Sequence, residues 1–268
     1  MCWGLSACAP SLATMQPAHV AAQGHFEGTA ALELGVPTGT LTKVVDAGET
    51  LSNAAAQGMD LTEQERRQVF EAGVNLAASP PAIGQHLMIA YTPVDNLEIN
   101  LRNAGGGWRL GGRYQVLHQT DGPFDLSVGI GGARSAYAFP IGDVLPILTI
   151  NDFVRYTIDV PVLLGRSNNW FRAWIGPRFL YSRFSTSMTL EIPGAATDVA
   201  SFEGHATYIG AQGGIALGYQ KVFLGIELTM AQMYAHASVT FPPAVAAVTP
   251  FDFDGFVIYP ALGLMVEL

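Results

Sequence analysis

The strongest fold signal in the chain is the stretch Val222-Phe223-Leu224-Gly225-Ile226-Glu227-Leu228-Thr229-Met230-Ala231. Large aliphatic side chains occupy every second position, and the positions between them are mostly glycine, small or polar residues. Successive side chains of a β-strand point to opposite faces. The stretch therefore predicts a strand with one strongly apolar face.

The same alternation recurs along most of the chain. Residues 154–164 place aliphatic and tyrosine side chains opposite Arg155, Thr157 and Asp159, and residues 97–102 repeat the pattern over a shorter length. Alternation bounded by turn residues predicts strands. We predict ten, over His25–Val36, Gly84–Thr92, Leu97–Asn103, Trp108–His118, Phe124–Ala136, Asp152–Gly165, Trp170–Met188, His205–Tyr219, Val222–Thr240 and Gly255–Leu268.

The composition separates the chain from ordinary soluble domains. Charged residues make up 13% of the 268 positions, whereas soluble proteins carry about 25%. A helical membrane protein needs about 18 consecutive apolar residues, and the sequence has no such run. A closed β-barrel is the other structure that satisfies its backbone inside a bilayer. These features favour an all-β, antiparallel, up-and-down transmembrane barrel over the alternative of a soluble β-sandwich.

The connections between the predicted strands support this topology. They are short at 94–96, 119–123, 166–169 and near Gln220, and long at 37–83, 137–151, 189–204 and 241–254, with a short exception at 104–107. Outer-membrane barrels have short periplasmic turns and longer extracellular loops. We therefore expect both barrel ends of the chain in the periplasm and an extracellular loop insertion, 37–83. Within it we predict one helix that begins with a cap at Asp60 or Thr62 and ends before Pro80.

The N-terminal residues 1–24 are predicted to be a truncated signal and a tether, and residues 25–268 the barrel domain. Leu5-Ser6-Ala7-Cys8 resembles the lipobox of bacterial lipoproteins, in which the cysteine is acylated. This resemblance implies lipidation at Cys8.

The C-terminal residues Gly263-Leu264-Met265-Val266-Glu267-Leu268 resemble the terminal signal of bacterial outer-membrane barrels, with apolar residues at the third and fifth positions after the glycine. Over residues 25–268 the chain resembles a small, uncharacterised outer-membrane β-barrel protein of Gram-negative bacteria. The resemblance implies location in the bacterial outer membrane, with outer-membrane lipid and the barrel-assembly machinery as partners.

Most of the charged strand residues are predicted to face the lumen. A barrel of about eight strands is just wide enough for side chains to fill it, and ten strands are only slightly wider. Buried charges in this space must pair. The expected network comprises Glu27, Glu98, Arg102, Arg109, Arg113, Asp125, Arg155, Asp159, Arg172, Arg178 and Glu227, with Glu33 and Glu267 as further acids. We expect these pairs to plug the lumen, with a selective ion path, as in a porin-like channel, as the alternative.

Motifs that carry chemistry are weak in this sequence. The net charge of −9 argues against nucleic-acid binding, and no cofactor or metal-ligand spacing is present. An enzyme is the less favoured interpretation. His205 and His236, near the outer ends of adjacent predicted strands, are candidates for a rim hydrolase (protease or acyl hydrolase), with Asp152 or Glu203 as the acid and Ser135 as the nucleophile.

The favoured function is therefore that of a non-enzymatic outer-membrane barrel. Its role is either structural or the binding and limited passage of small apolar molecules, since the long connections 139–148 and 241–248 are strongly apolar. A soluble lipocalin-like binding barrel is a third, disfavoured interpretation.

Overall fold

The computed structural model describes residues 11–57, 62, 64–65, 68–69, 71–72, 75, 79–104, 106–139, 148–190, 198–240 and 249–268. The elements are β1 (Phe26–Pro37), α1 (Thr38–Gln57), β2 (Ala82–Val94), β3 (Leu97–Ala104), β4 (Gly107–Leu117), β5 (Asp125–Phe139), β6 (Leu148–Ser167), β7 (Phe171–Leu190), β8 (Asp198–Tyr219), β9 (Val222–Thr240) and β10 (Thr249–Glu267). Cys8 lies outside the described residues.

The ten strands form one closed antiparallel barrel in which each strand pairs with its neighbours in sequence. Closure is made by β1, which pairs with β2 on one side and with β10 on the other; Glu27, for example, lies opposite both Ala90 and Glu267. A closed sheet has no free edge strand that could pair with another chain. The predicted fold class and strand number are confirmed.

The two faces of the wall follow the sequence alternation. On β9, Leu224 and Ile226 are 60% and 53% exposed on the outside, whereas Phe223 and Glu227 are 1% and 3% exposed on the inside. Among the described residues, no helix is both long enough and apolar enough to cross a membrane.

Several strands are longer than predicted, and the extra residues lie at one end of the barrel. β8 begins at Asp198 and β10 at Thr249, several residues before the predicted starts, and β6 begins at Leu148. The backbone ladder continues there although the apolar alternation has ended. We call this the long-loop end; the short-turn end contains Phe26, Leu268 and the tight turns, such as the one in which Asn96 has a φ of 69°.

The long insertion after β1 begins with a helix that the sequence analysis did not predict. α1 follows β1 directly, and Thr38 Oγ1 donates to the Phe256 carbonyl at 2.9 Å. Lys43 Nζ lies 5.9 Å from the centre of the Phe253 ring, so the helix packs against β10. Threonine, valine and glycine give α1 a weak intrinsic helix propensity, which explains why the pattern was missed.

The structure describes only part of the region in which the sequence predicted a helix. Within it, helical conformation occurs at 64–65, 68–69, 71–72 and 75. Thr62 and Glu65 form a capping box: the Glu65 amide donates to Thr62 Oγ1 at 3.3 Å, and the Thr62 amide donates to Glu65 Oε2 at 2.8 Å. The predicted cap is confirmed at Thr62, while Asp60 lies outside the described residues.

Residues 11–21, within the segment predicted to be a tether, run inside the barrel. Gly24 donates its amide to the Thr92 carbonyl at the short-turn end, and the chain then extends back up the lumen to Ser11. Leu12, Ala13, Thr14 and Met15 are completely buried. These residues carry no charged side chain, so they fill the space between the lumen charges without adding a charge to be paired.

Candidate functional site: the filled lumen

The charged side chains predicted to face the lumen are all directed inward. Ten of the eleven network residues are no more than 6% exposed, and the side chain of the remaining one, Arg109, is 11% exposed. The alternation of the strands is what aims them into the barrel. Their partners, however, are not only one another.

Asp159 is the centre of the first cluster, about halfway up the barrel. Its two carboxylate oxygens accept from Arg109 Nε at 2.5 Å and Nη2 at 2.8 Å, a forked arrangement. Arg178 Nη1, from the neighbouring strand β7, donates to Oδ2 at 2.5 Å. One carboxylate therefore holds two arginines from opposite sides.

A second cluster lies at the short-turn end. Arg113 Nη2 is paired with Glu98 and lies 3.5 Å from Glu27 Oε2, and Arg172 is paired with Glu267 and lies 3.8 Å from Glu27 Oε1. Two arginines are thus shared among three glutamates around the barrel.

His19 of the N-terminal segment completes this second cluster. Its Nε2 lies 3.4 Å from Glu267 Oε2, and Nδ1 lies 2.8 Å from Ser167 Oγ. His19, Glu27 and Glu267 place three ligand-type atoms within 4.8 Å of one another. Because Arg113 and Arg172 already pair with these carboxylates, the charge balance here does not call for a metal ion.

The main partner of the lumen charges is the N-terminal segment, which the sequence analysis did not place in the barrel. Arg102 donates from Nη1 to the Ala13 carbonyl at 3.0 Å and from Nη2 to the Thr14 carbonyl at 3.2 Å. Arg178 Nε donates to the Leu12 carbonyl at 3.1 Å, and Arg113 donates to the Pro17 carbonyl.

Two carboxylates, those of Glu227 and Glu98, also bind the N-terminal segment. Glu227 accepts from the amides of Thr14 and Met15 at 2.6 and 2.9 Å, and Glu98 accepts from Gln16 Nε2 at 2.9 Å. One sequence feature could have indicated that this segment lies in the lumen: apart from His19, residues 11–23 are all small, apolar or uncharged polar residues.

Two predicted network members make other contacts. Asp125 accepts from the Gln115 side chain and the Gln119 amide, each at 2.8 Å, and so closes the turn between β4 and β5. The guanidinium carbon of Arg155 lies 4.9 Å from the centre of the Phe153 ring, higher in the barrel.

The space left in the middle of the lumen is small. A cavity of about 30 Å³ lies among Ser11, the two arginines bound to Asp159, and Arg155. This volume holds one or two water molecules.

Towards the long-loop end the inner wall changes from charged to aromatic. Phe153, Phe184 and Phe202 are each no more than 2% exposed, and the rings of Phe153 and Phe184 are stacked with centres 6.1 Å apart. Val69 and Ala72 of the insertion are also buried. The lumen is therefore lined mainly by charged side chains towards the short-turn end and mainly by apolar ones towards the long-loop end, where Arg155 lies against Phe153. The apolar connections 140–147 and 241–248 lie outside the described residues.

The two candidate rim histidines lie on the outside of the wall. His205 and His236 are directly opposite one another on β8 and β9, and His236 Nδ1 lies 2.6 Å from Asp252 Oδ1 of β10. Ser135 is buried on the lumen side, so it does not share a face with these histidines. Asp152 belongs to β6, two strands from β8, and the structure does not describe its side chain.

Comparisons with known proteins find only weak structural similarity, at less than 10% sequence identity. No protein-family model matches the chain, and no curated protein matches it. Among solved structures, Ail, the attachment invasion locus protein of Yersinia pestis, matches with a TM-score of 0.30 at 8% identity, covering 92% of this chain and 99% of its own. Neisserial surface protein A matches with a TM-score of 0.30 at 9% identity, covering 90% and 95%. The monoaromatic hydrocarbon channel CymD matches with a TM-score of 0.30 at 7% identity, covering 92% and 89%.

Proposed function

We propose that this protein is an integral β-barrel of the bacterial outer membrane. A broad apolar belt on the outer surface supports the proposal, because large side chains such as Leu110, Ile175 and Leu224 are at least 60% exposed there. Aromatic pairs lie at the short-turn end, with Trp170 and Tyr219 centred 4.5 Å apart. Such rings are typical of the girdle at a membrane interface. Outer-membrane lipid is the partner of this surface, and the barrel-assembly machinery is the partner of β10 during insertion.

We further propose that the barrel is closed to ions and serves as a structural element. The observation that carries this proposal is the position of residues 11–19 in the lumen, where four strand residues of both charge signs, Arg102, Arg113, Arg178 and Glu227, bind their backbone. Water-filled channels belong to barrels of about 16–18 strands. A ten-stranded wall that also contains a peptide has no room for one.

Planar-bilayer recording tests the closed lumen. We expect no steady conductance from the protein as it stands, and conductance events after residues 11–19 are removed or after Arg102→Ala loosens the segment. Arg183→Ala is the matched control, because Arg183 is an arginine on the outer surface, 72% exposed, and its removal leaves the lumen unchanged. Steady conductance of the unmodified protein contradicts the proposal.

A second candidate function is the binding of small apolar molecules, and the aromatic half of the lumen favours it. Phe153, Phe184, Phe202 and Phe253 give this half an apolar inner surface, and the insertion after β1 lies at the same end. Ligand pockets are predominantly apolar with few polar groups. Titration with the fluorescent probe N-phenyl-1-naphthylamine tests it: we expect saturable binding that Phe184→Ala weakens and that the outward-facing Phe179→Ala leaves unchanged.

A further inference from the structure

The outer surface carries a row of polar side chains above the apolar belt, and neither the lumen nor the proposed function uses it. The row crosses three neighbouring strands at one register level: Arg183 on β7 lies opposite His205 on β8, which lies opposite His236 on β9. Asp252 on β10 continues the row next to His236. On β9 this level lies two residues beyond the exposed Tyr234, where the apolar positions end. The row therefore faces the polar side of the membrane interface.

The register of their strands holds the two imidazoles next to each other, with their ring planes tilted. Their ring centres lie 5.6 Å apart with 34° between the ring planes. Side chains directly opposite on antiparallel strands have Cβ atoms about 4.5–5.5 Å apart. Both rings are at least partly exposed, so rotation about their side-chain bonds can bring one nitrogen of each imidazole within coordination distance of a single ion.

Asp252 prepares one of these histidines to act as a ligand. Its Oδ1 lies 2.6 Å from His236 Nδ1, so this nitrogen carries the proton in the neutral ring and Nε2 is left with a lone pair. A carboxylate that holds the second ring nitrogen is the usual outer partner of a metal-bound histidine, fixing the tautomer and the ring direction.

The local charge favours a cation. Asp252 and Asp254 both line an open cleft of about 400 Å³ together with the two histidines. The nearest arginine in the row, Arg183, has its own carboxylate partner, with Nη2 4.0 Å from Glu203 Oε2. This balance differs from that around His19 inside the barrel, where two arginines already pair with the acids.

We propose that His205 and His236 bind one divalent transition-metal ion on the outer surface, with Asp252 orienting His236. Two imidazole nitrogens and water suit Zn²⁺, Ni²⁺ or Cu²⁺, and among these ligands Cu²⁺ binds most tightly. The site faces the headgroup level of the extracellular leaflet, where it presents the ion to lipid phosphates or to solutes outside the cell. It is independent of whether the lumen is closed.

Metal titration of the full chain in detergent tests the site. The protein is prepared without a polyhistidine tag, treated with EDTA, and titrated with ZnCl₂ by calorimetry, and with CoCl₂ by visible absorption. We expect one ion per barrel, at least tenfold weaker binding in His205→Ala and in His236→Ala, and about 10–100-fold weaker binding in Asp252→Asn. His118→Ala at the opposite end of the barrel is the matched control and retains full affinity.

Each outcome of this experiment decides the proposal. Absence of binding to the unmodified protein overturns it, and so does unchanged affinity in the His205→Ala/His236→Ala double variant or an equal loss in His118→Ala. Heat-modifiable gel migration shows whether each variant is folded. Electron paramagnetic resonance of the Cu²⁺-loaded unmodified protein reports nitrogen ligands directly, so the proposal stays testable if a variant fails to fold.

Discussion

The backbone amide of Thr14 donates a hydrogen bond of 2.6 Å to Glu227 Oε1, joining two residues that are 213 positions apart in the chain. The other oxygen of this carboxylate accepts from the Met15 amide at 2.9 Å and from Trp174 Nε1 at 2.8 Å. Glu227 therefore connects the N-terminal segment to the barrel wall without any cationic partner among these contacts. A buried carboxylate can be stabilised in this way when several N–H groups point at it.

Glu227→Ala is expected to destabilise the barrel by about 3 kcal/mol or more, because it leaves several buried donors without an acceptor. Denaturant unfolding in lipid vesicles measures the loss. Glu203→Ala is the matched control: Glu203 is an exposed carboxylate on the outer face, and its removal should change stability by less than about 0.5 kcal/mol. Equal losses in the two variants would show that the contacts of Glu227 do not hold the segment.

Gly131→Ala should destabilise the barrel through Arg109. A methyl group at Gly131 would overlap the guanidinium group of Arg109, which is fixed by its forked bond to Asp159 and cannot move aside while keeping it. Overpacking of this kind costs about 1–3 kcal/mol. Gly132→Ala is the control, since the nearest atom to its added carbon is 3.8 Å away. A stability of Gly131→Ala equal to that of the control would contradict the geometry.

Arg113→Ala should cost about 3–5 kcal/mol, because it leaves the buried carboxylates of Glu98 and Glu27 short of a counter-charge. Thermal unfolding followed by circular dichroism measures the effect. Arg183→Ala removes an exposed arginine and should have little effect. A small loss for Arg113→Ala would mean that water reaches the cluster, which would in turn favour an open lumen.

The start of the second helical stretch is expected to depend on pH. Hydrogen bonds from Thr62 hold the pKa of Glu65 below its ordinary value. Because the pKa is lower in the folded segment, the capping contribution is present at neutral pH and is lost as the pH falls through the folded pKa. The Thr62 amide, which donates to Glu65 Oε2, should therefore be protected from hydrogen exchange at neutral pH and lose protection in acid, after correction for the intrinsic rate. Glu65→Gln, which cannot titrate, should abolish this pH dependence.

The two ends of the barrel should be accessible from opposite sides of the outer membrane. In a background with Cys2 and Cys8 replaced by serine, Gln64→Cys in the long insertion should react with an impermeant maleimide on intact cells. Asn168→Cys in a short turn should react only after the membrane is opened. The reverse pattern would invert the proposed orientation.

Much of the wall could be predicted from local pattern alone. The observed bounds of β9, Val222–Thr240, coincide with the prediction, and the inward direction of Arg113 and Glu227 followed from period-two alternation. The starts of β8 and β10 were placed too late because the apolar alternation stops before these strands end, whereas the backbone ladder does not depend on hydropathy.

The sequence by itself determined the strands, their two faces and the set of charged side chains that enter the lumen, because the period-two alternation of a strand can be read from a few neighbouring residues. Only the tertiary structure decided which groups meet. Arg102 binds backbone carbonyls of the N-terminal segment, and a carbonyl leaves no signature in the side-chain pattern. His205 and His236 become neighbours through the register of two long strands, which depends on the turn that joins them and on closure of the whole barrel. Contacts of this kind are set by the barrel as a whole, and local periodicity carries no information about them.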